Sequence, residues 1–239
     1  MLDTFMAGNF VGLYFVLRWL HVFFGIIWIG HLYYFNFVQG AFMNETDAGA
    51  KSQVMQKLAP RALWWFRFGA LWTFITGVIM LSIRAHQDMS AGGAAVFASP
   101  YWISILTGGL MATLMFLNVW FIIWPKQKIV IANAVTVAGG GAANPGVPAA
   151  SARALCASRT NTLFSVPMLF FMLGASHFGF NVDAESSVMG YWIAALIVIF
   201  GIEANAIVGK LGPMTTIKGV ITSGFVLTAI FVVLNVVLI

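Results

Sequence analysis

Long uncharged apolar stretches alternate along the chain with short segments that hold nearly all of its charge. Trp19 to Asn44, Met89 to Pro125, Thr160 to Val182, Ser186 to Ile202 and Gly219 to Ile239 contain no Asp, Glu, Lys or Arg. A helix needs about 20 such residues to cross the hydrocarbon core of a bilayer. The stretch between Arg67 and Arg84 is shorter, but Trp64, Trp65 and Phe66 extend it with aromatic side chains that suit a membrane interface. The pattern predicts an all-α integral membrane protein, a bundle of helices over roughly 10–40, 62–84, 101–124, 161–181, 188–209 and 216–238. Met1 to Leu17 has neither a basic leader nor a small-residue cleavage site, so it reads as the start of the first helix and not as a removable signal. The Gly/Ala/Pro-rich run Ala138 to Ser151 predicts a mobile connection at about 133–152. Residues 1–239 are expected to form a single transmembrane domain.

The charges between the apolar stretches set an orientation. Lys51, Lys57, Arg61, Lys126, Lys128, Arg153, Arg159, Lys210 and Lys218 fall on one side of the alternation. Asp3, Asp88, Asp183 and Glu185 fall on the other, with Arg84 as the one nearby cation. By the positive-inside rule both termini face outward from a bacterial inner membrane.

Composition narrows the picture further. A chain with 61% hydrophobic and 8% charged residues departs from soluble domains, which carry about a quarter charged residues. The net charge of +5 is scattered over several loops, so it does not form a nucleic-acid-binding face. Cys156 is the one cysteine, which excludes a disulfide framework.

The chemistry-bearing residues are few. Of four histidines, His21 and His31 fall on the first predicted helix, His86 just past the second, and His177 near the outer end of the fourth. A rise of 1.5 Å per residue puts His21 about 12 Å and His177 about 6 Å from the outer face, depths that suit axial ligation of one haem. His21, Gly25 and Trp28 share a helix face, and Gly174 precedes His177 by one turn; the glycines would leave room for a flat macrocycle. Arg18, one turn from His21, would pair with a propionate or reach outward. A histidine bonded to a neighbouring helix is the plainer alternative for either ligand. His86 is the substitute for His177; on its own it reads as a solvated loop residue. His31 lies about 15 Å deeper than His21, where a structural or proton-handling role is expected. Glu203 is costly in a membrane if ionised and unpaired, and would bind a proton or stay hydrogen-bonded. Arg159, Thr160, Asn161, Thr162 and Ser165 precede Pro167 and read as the cap of the fourth helix, with a small-molecule site as the lesser reading.

Four blocks carry a family resemblance. RWLHVFFGIIWIG (Arg18 to Gly30), ALWWFRFGALWTFITG (Ala62 to Gly77), NVWFIIWPKQK (Asn118 to Lys128) and RTNTLFSVPMLFFMLGASHF (Arg159 to Phe178) resemble, in that order, segments of the urate oxidase N-terminal domain family. The resemblance implies a membrane oxidoreductase that hydroxylates urate and passes electrons to a cytochrome c domain at its carboxyl end. This chain has no CxxCH motif, so a covalent c-type haem is not expected and the cytochrome c would be a separate partner.

Together these readings predict a b-type haem-binding redox subunit in contact with membrane lipid and a cytochrome c or larger redox complex. Arg159, Asn161 and Gln127 are candidate contacts for an anionic purine. Two alternatives stand beside it. One is a haem-free accessory subunit of a respiratory or photosynthetic complex. The other is copper handling at the outer face by His86, Met89 and His177, whose imidazole and thioether groups suit copper.

Overall fold

The computed structural model describes residues 11–178, 182 and 186–239. Six long helices follow one another among them: α1 (Val11–Glu45), α2 (Ala48–Ala98), α3 (Pro100–Ala138), α4 (Val147–His177), α5 (Val188–Val208) and α6 (Ile217–Leu238). No strand occurs among the described residues. All except α4 are long and apolar enough to cross a membrane. Only 17% to 33% of their apolar windows is buried inside the protein. The remainder, including Phe15, Ile26, Phe121, Val208 and Val236, faces outward, a surface that water would not tolerate and lipid would.

Local chemistry sets the helix starts. Asp47 accepts hydrogen bonds from the Gly49 and Ala50 amides at 2.7 and 3.0 Å, Ser187 from Gly190 and Thr216 from Gly219, so orphan first-turn donors are satisfied by a side chain. The N–H groups around Asp47 favour its charged form and hold its carboxyl below the ordinary 3.8.

The first four helices are longer than the hydrophobic pattern predicts, while α5 and α6 match it to within a residue. α2 begins at Ala48 and α3 continues to Ala138, so Lys51, Lys57, Arg61, Lys126 and Lys128 ride on helix and not on loops. Pro125 does not stop α3. It follows a π-helical stretch, Asn118–Ile123, and falls in the first turn of the α-helix after it, where its missing N–H is tolerated. His86 lies within the α-helical part of α2, Ala59–Gly92, and is exposed. The connection expected over 133–152 is non-helical only at residues 139–146, with Asn133 Oδ1 accepting from the Asn144 amide at 2.7 Å. Arg153, on α4, donates to the Ala206 and Gly209 carbonyls and so caps the end of α5.

α4 is the centre of the bundle. Every residue from Arg159 to Ser165 is buried, on all sides of the helix. The reading of this stretch as a helix cap is therefore corrected: α4 has already run twelve residues by Arg159. Thr160, Thr162 and Ser165 turn their hydroxyls back to the carbonyls of Cys156, Ser158 and Thr162, the usual way a helix interior satisfies them. Neighbouring helices come close where a side chain is missing. A Cβ on Gly69 would lie 3.0 Å from the Trp28 backbone nitrogen, and one on Gly108 would lie 3.2 Å from the Met168 carbonyl oxygen. This is the small-residue packing of membrane bundles.

Candidate functional site

Two polar regions cross the apolar bundle. The first lies where α3, α4 and α5 meet. The Asn161 amide donates to the Met115 carbonyl at 2.9 Å, which fixes its oxygen as an acceptor. Asn118 then donates one N–H to Asn161 Oδ1 at 2.9 Å and the other to Glu203 Oε2 at 3.0 Å. All three side chains are buried. Two contacts bring α3 and α5 into parallel register: Asn118 with Glu203, and, eleven residues earlier on α3, the Thr107 hydroxyl with Tyr191 at 2.9 Å. Asn118, Asn161 and Glu203 attract notice singly in the sequence. Their pairing needs the helix register.

The second region joins α1 to α4. Tyr33 donates to Ser165 Oγ at 2.9 Å, since the Ser165 hydroxyl itself donates to Thr162. Asn36 donates to the Leu32 carbonyl and to Ser158 Oγ, leaving Asn36 Oδ1 buried without a partner. Asn36 and Gln39 belong to a π-helical stretch, Tyr34–Gln39, of the kind often found at functional positions. The sequence reading missed both. The signal was an amide embedded in the aromatic run YFNFVQ.

The expected haem ligands occupy two different helices. His21, on α1, packs against α2: its Nδ1 lies 2.9 Å from the Thr73 carbonyl and 3.2 Å from Thr76 Oγ1. A carbonyl only accepts, so Nδ1 carries the proton and Nε2 keeps its lone pair. Gly77 makes this contact feasible, because a Cβ there would lie 3.0 Å from His21 Cε1. His177 ends α4 and is exposed. The Tyr33–Ser165 and Asn36–Ser158 contacts together set α1 and α4 antiparallel, with Tyr33 level with Ser165. His21 and His177 each lie twelve residues from it, which puts both about 18 Å away along their helices.

Of the neighbours, Trp28 is buried with no acceptor for its indole N–H, and Gly174 is buried. Gly25 faces Thr73, whose methyl would sit 3.9 Å from an added Cβ; for Gly174 the nearest such atom is Phe178 Cβ, also at 3.9 Å. Neither glycine is demanded by the packing of the chain on itself. Arg18 is exposed, over the Tyr14 ring. His31 donates from Nδ1 to the Ile27 carbonyl one turn back.

The residues expected to contact an anionic purine sit in different surroundings. Gln127 lines a cavity between α1, α2, α3 and α4 whose wall does not include Arg159 or Asn161. Asn161 is committed to Asn118 and Met115. Arg159 is buried, with Nε and Nη1 unpartnered. Asp88, expected on the outer side, pairs with Arg84 at 2.8 Å and accepts from the Trp102 indole at 2.9 Å, so it is not a free acidic charge. Asp3, Asp183 and Glu185 lie outside the described residues.

Fold and polar interior together define a helical protein with apolar spans around a polar central helix, the build of a multi-pass membrane protein. The chain belongs to the urate oxidase N-terminal family, whose description, urate oxidase N-terminal, matches residues 92–236, more than half of its length. The match takes in α3 to α6, including Asn118–Lys128 and Arg159–Phe178, and begins after the blocks around His21 and Ala62. No curated protein and no solved structure matches the chain.

Proposed function

We propose that the protein is the membrane redox subunit of a urate-oxidising system in a bacterial inner membrane. It crosses the membrane six times with both termini outside, α4 being the sixth span. It holds one b-type haem through His21 and His177 and delivers electrons to a separate cytochrome c at the outer face. The observation that carries this reading is the anchored His21 ring: Nδ1 is tied to the Thr73 carbonyl, which leaves Nε2 free as a ligand, the arrangement most metal-bound histidines use. Three further features support it: the common level of His21 and His177 that follows from the Tyr33–Ser165 and Asn36–Ser158 contacts, the two glycines that protein packing does not require, and Arg18 within one turn for a propionate.

The residues present fit the group. His21 and His177 would ligate its iron, and Gly25, Trp28 and Gly174 would border it. A bound haem supplies a one-electron couple. The chain's own part is to orient the His21 imidazole through Thr73 and Thr76. In the polar layer deeper in, Glu203 accepts from Asn118 and is the group there able to hold a proton.

The test is reduction of added cytochrome c by the purified protein with urate as reductant, at low and at high salt. Asp3, Asp183 and Glu185 adjoin the outer helix ends in sequence and would steer a lysine-rimmed cytochrome. The rate should therefore fall as ionic strength passes about 0.1 M, where the Debye length is about 10 Å. No reduction, together with copurification of a large haem-free complex, would instead favour an accessory subunit.

A further inference from the structure

The cavity between α1, α2, α3 and α4 is a feature that the haem reading leaves unused. It measures about 120 Å³, far above the roughly 10–15 Å³ that a single water needs. Phe35, Leu63, Phe66 and Ile123 give it flat apolar walls, and Asn36, Gln39, Gln127 and Ser158 give it polar ones. Its wall carries no charged side chain among the described residues.

The polar groups in this wall point to a ligand. Asn36 is 2% exposed, and its orientation is fixed, because its amide nitrogen faces the Leu32 carbonyl at 2.9 Å. Its Oδ1 is thus an acceptor, buried and unpartnered, and Gln39 Oε1, one turn on, is likewise buried without a partner. A buried acceptor left without a donor carries its full desolvation penalty. Two of them at one cavity, within a π-helical stretch that departs from ordinary helix geometry, call for a donor from outside the chain. With aromatic walls and no charge to neutralise an ion, that donor is uncharged and flat.

We infer that this cavity is a binding site for a neutral ring compound that presents O–H or N–H donors to Asn36 Oδ1 and Gln39 Oε1. Such a ligand has two sources: the headgroup of a quinol dissolved in the bilayer, or a neutral heterocyclic amide from the aqueous phase. The site stands apart from the proposed haem, so the two ideas fail separately.

Protein in lipid nanodiscs is titrated by calorimetry with a short-tailed benzoquinol, the matching benzoquinone, and xanthine. The quinol or xanthine should bind, and the quinone, which has no donor, at least tenfold more weakly than the quinol. Binding of the quinol alone assigns the membrane source; binding of xanthine alone assigns the aqueous one. Gln39→Leu should weaken the bound ligand five- to tenfold, and Asn36→Leu by more. Asn36 also ties α1 to α4, so Gln39→Leu decides the matter if Asn36→Leu fails to fold. Neither substitution should change a haem spectrum. Absence of binding by both donors, equal binding of quinol and quinone, or affinity unchanged in Gln39→Leu would overturn the proposal and leave a water-filled void.

Discussion

Glu203 is tolerated inside an apolar bundle because Asn118 turns an N–H toward it, while Asn161, itself oriented by the Met115 carbonyl, accepts from Asn118 and holds it in that pose. Glu203→Gln keeps an acceptor for Asn118 and should cost less than about 1 kcal/mol. Glu203→Leu strands a buried N–H and should cost about 1–3 kcal/mol. Unfolding midpoints in mixed micelles give both values, and equal losses would show that the hydrogen bond is not what matters. Glycines make a second residue-scale contrast. Gly69→Ala drives a Cβ to 3.0 Å from backbone nitrogen and should destabilise by about 1–3 kcal/mol. Gly25→Ala meets only a methyl at 3.9 Å and should change apoprotein stability by less than about 0.5 kcal/mol.

At the scale of elements, hydrophobic runs place α1, α2, α5 and α6 near their true centres, because the length of an apolar run reports a helix suited to lipid directly, whereas α3 and α4 are displaced by their polar extensions. The ends of α5 and α6 were legible to within a residue, and both ends of α2, the far end of α3 and the start of α4 were not. Lys51, Lys57, Lys126 and Lys128 look like loop residues by charge, yet a helix leaving a membrane continues into water without breaking. α4 misleads in the opposite sense. Its polar stretch Arg159–Ser165 reads as a terminus, although it is buried by helices on every side, and only tertiary packing reveals that. For the candidate site, His21, His177 and Glu203 were visible as costly groups in apolar surroundings. Thr73, Asn36 and the Asn118–Glu203 pairing were not, since each depends on which helix lies opposite. The start of α2 supplies a prediction with a defined sign. Asp47 has a lowered pKa because amides donate to its charged form. Its capping contribution is therefore complete above the ordinary 3.8 and disappears as pH falls through the lower folded value. The Gly49 amide proton shift, followed by NMR, should titrate with a midpoint below 3.8 in wild type and not at all in Asp47→Asn. A midpoint at or above 3.8 would contradict the cap.

The whole molecule is a bundle arranged around α4, with a polar layer at Asn118, Asn161 and Glu203 and, in the proposed topology, its basic helix extensions inside. In that topology alkaline phosphatase fused after Ile239 is active, and Lys128→Cys in a Cys156→Ala background is labelled only when reagent reaches the cytoplasm. An inactive fusion, together with labelling of the Lys128→Cys variant from outside, would reverse the orientation. The haem reading is the central claim, and it is tested most directly by the reduced-minus-oxidised absorption spectrum of the purified protein. The account predicts a low-spin b-type signal in wild type, lost or converted to high spin in His21→Ala and in His177→Ala while both variants still insert into the membrane. A wild-type protein without the signal, or two variants that both keep it unchanged, would contradict the account.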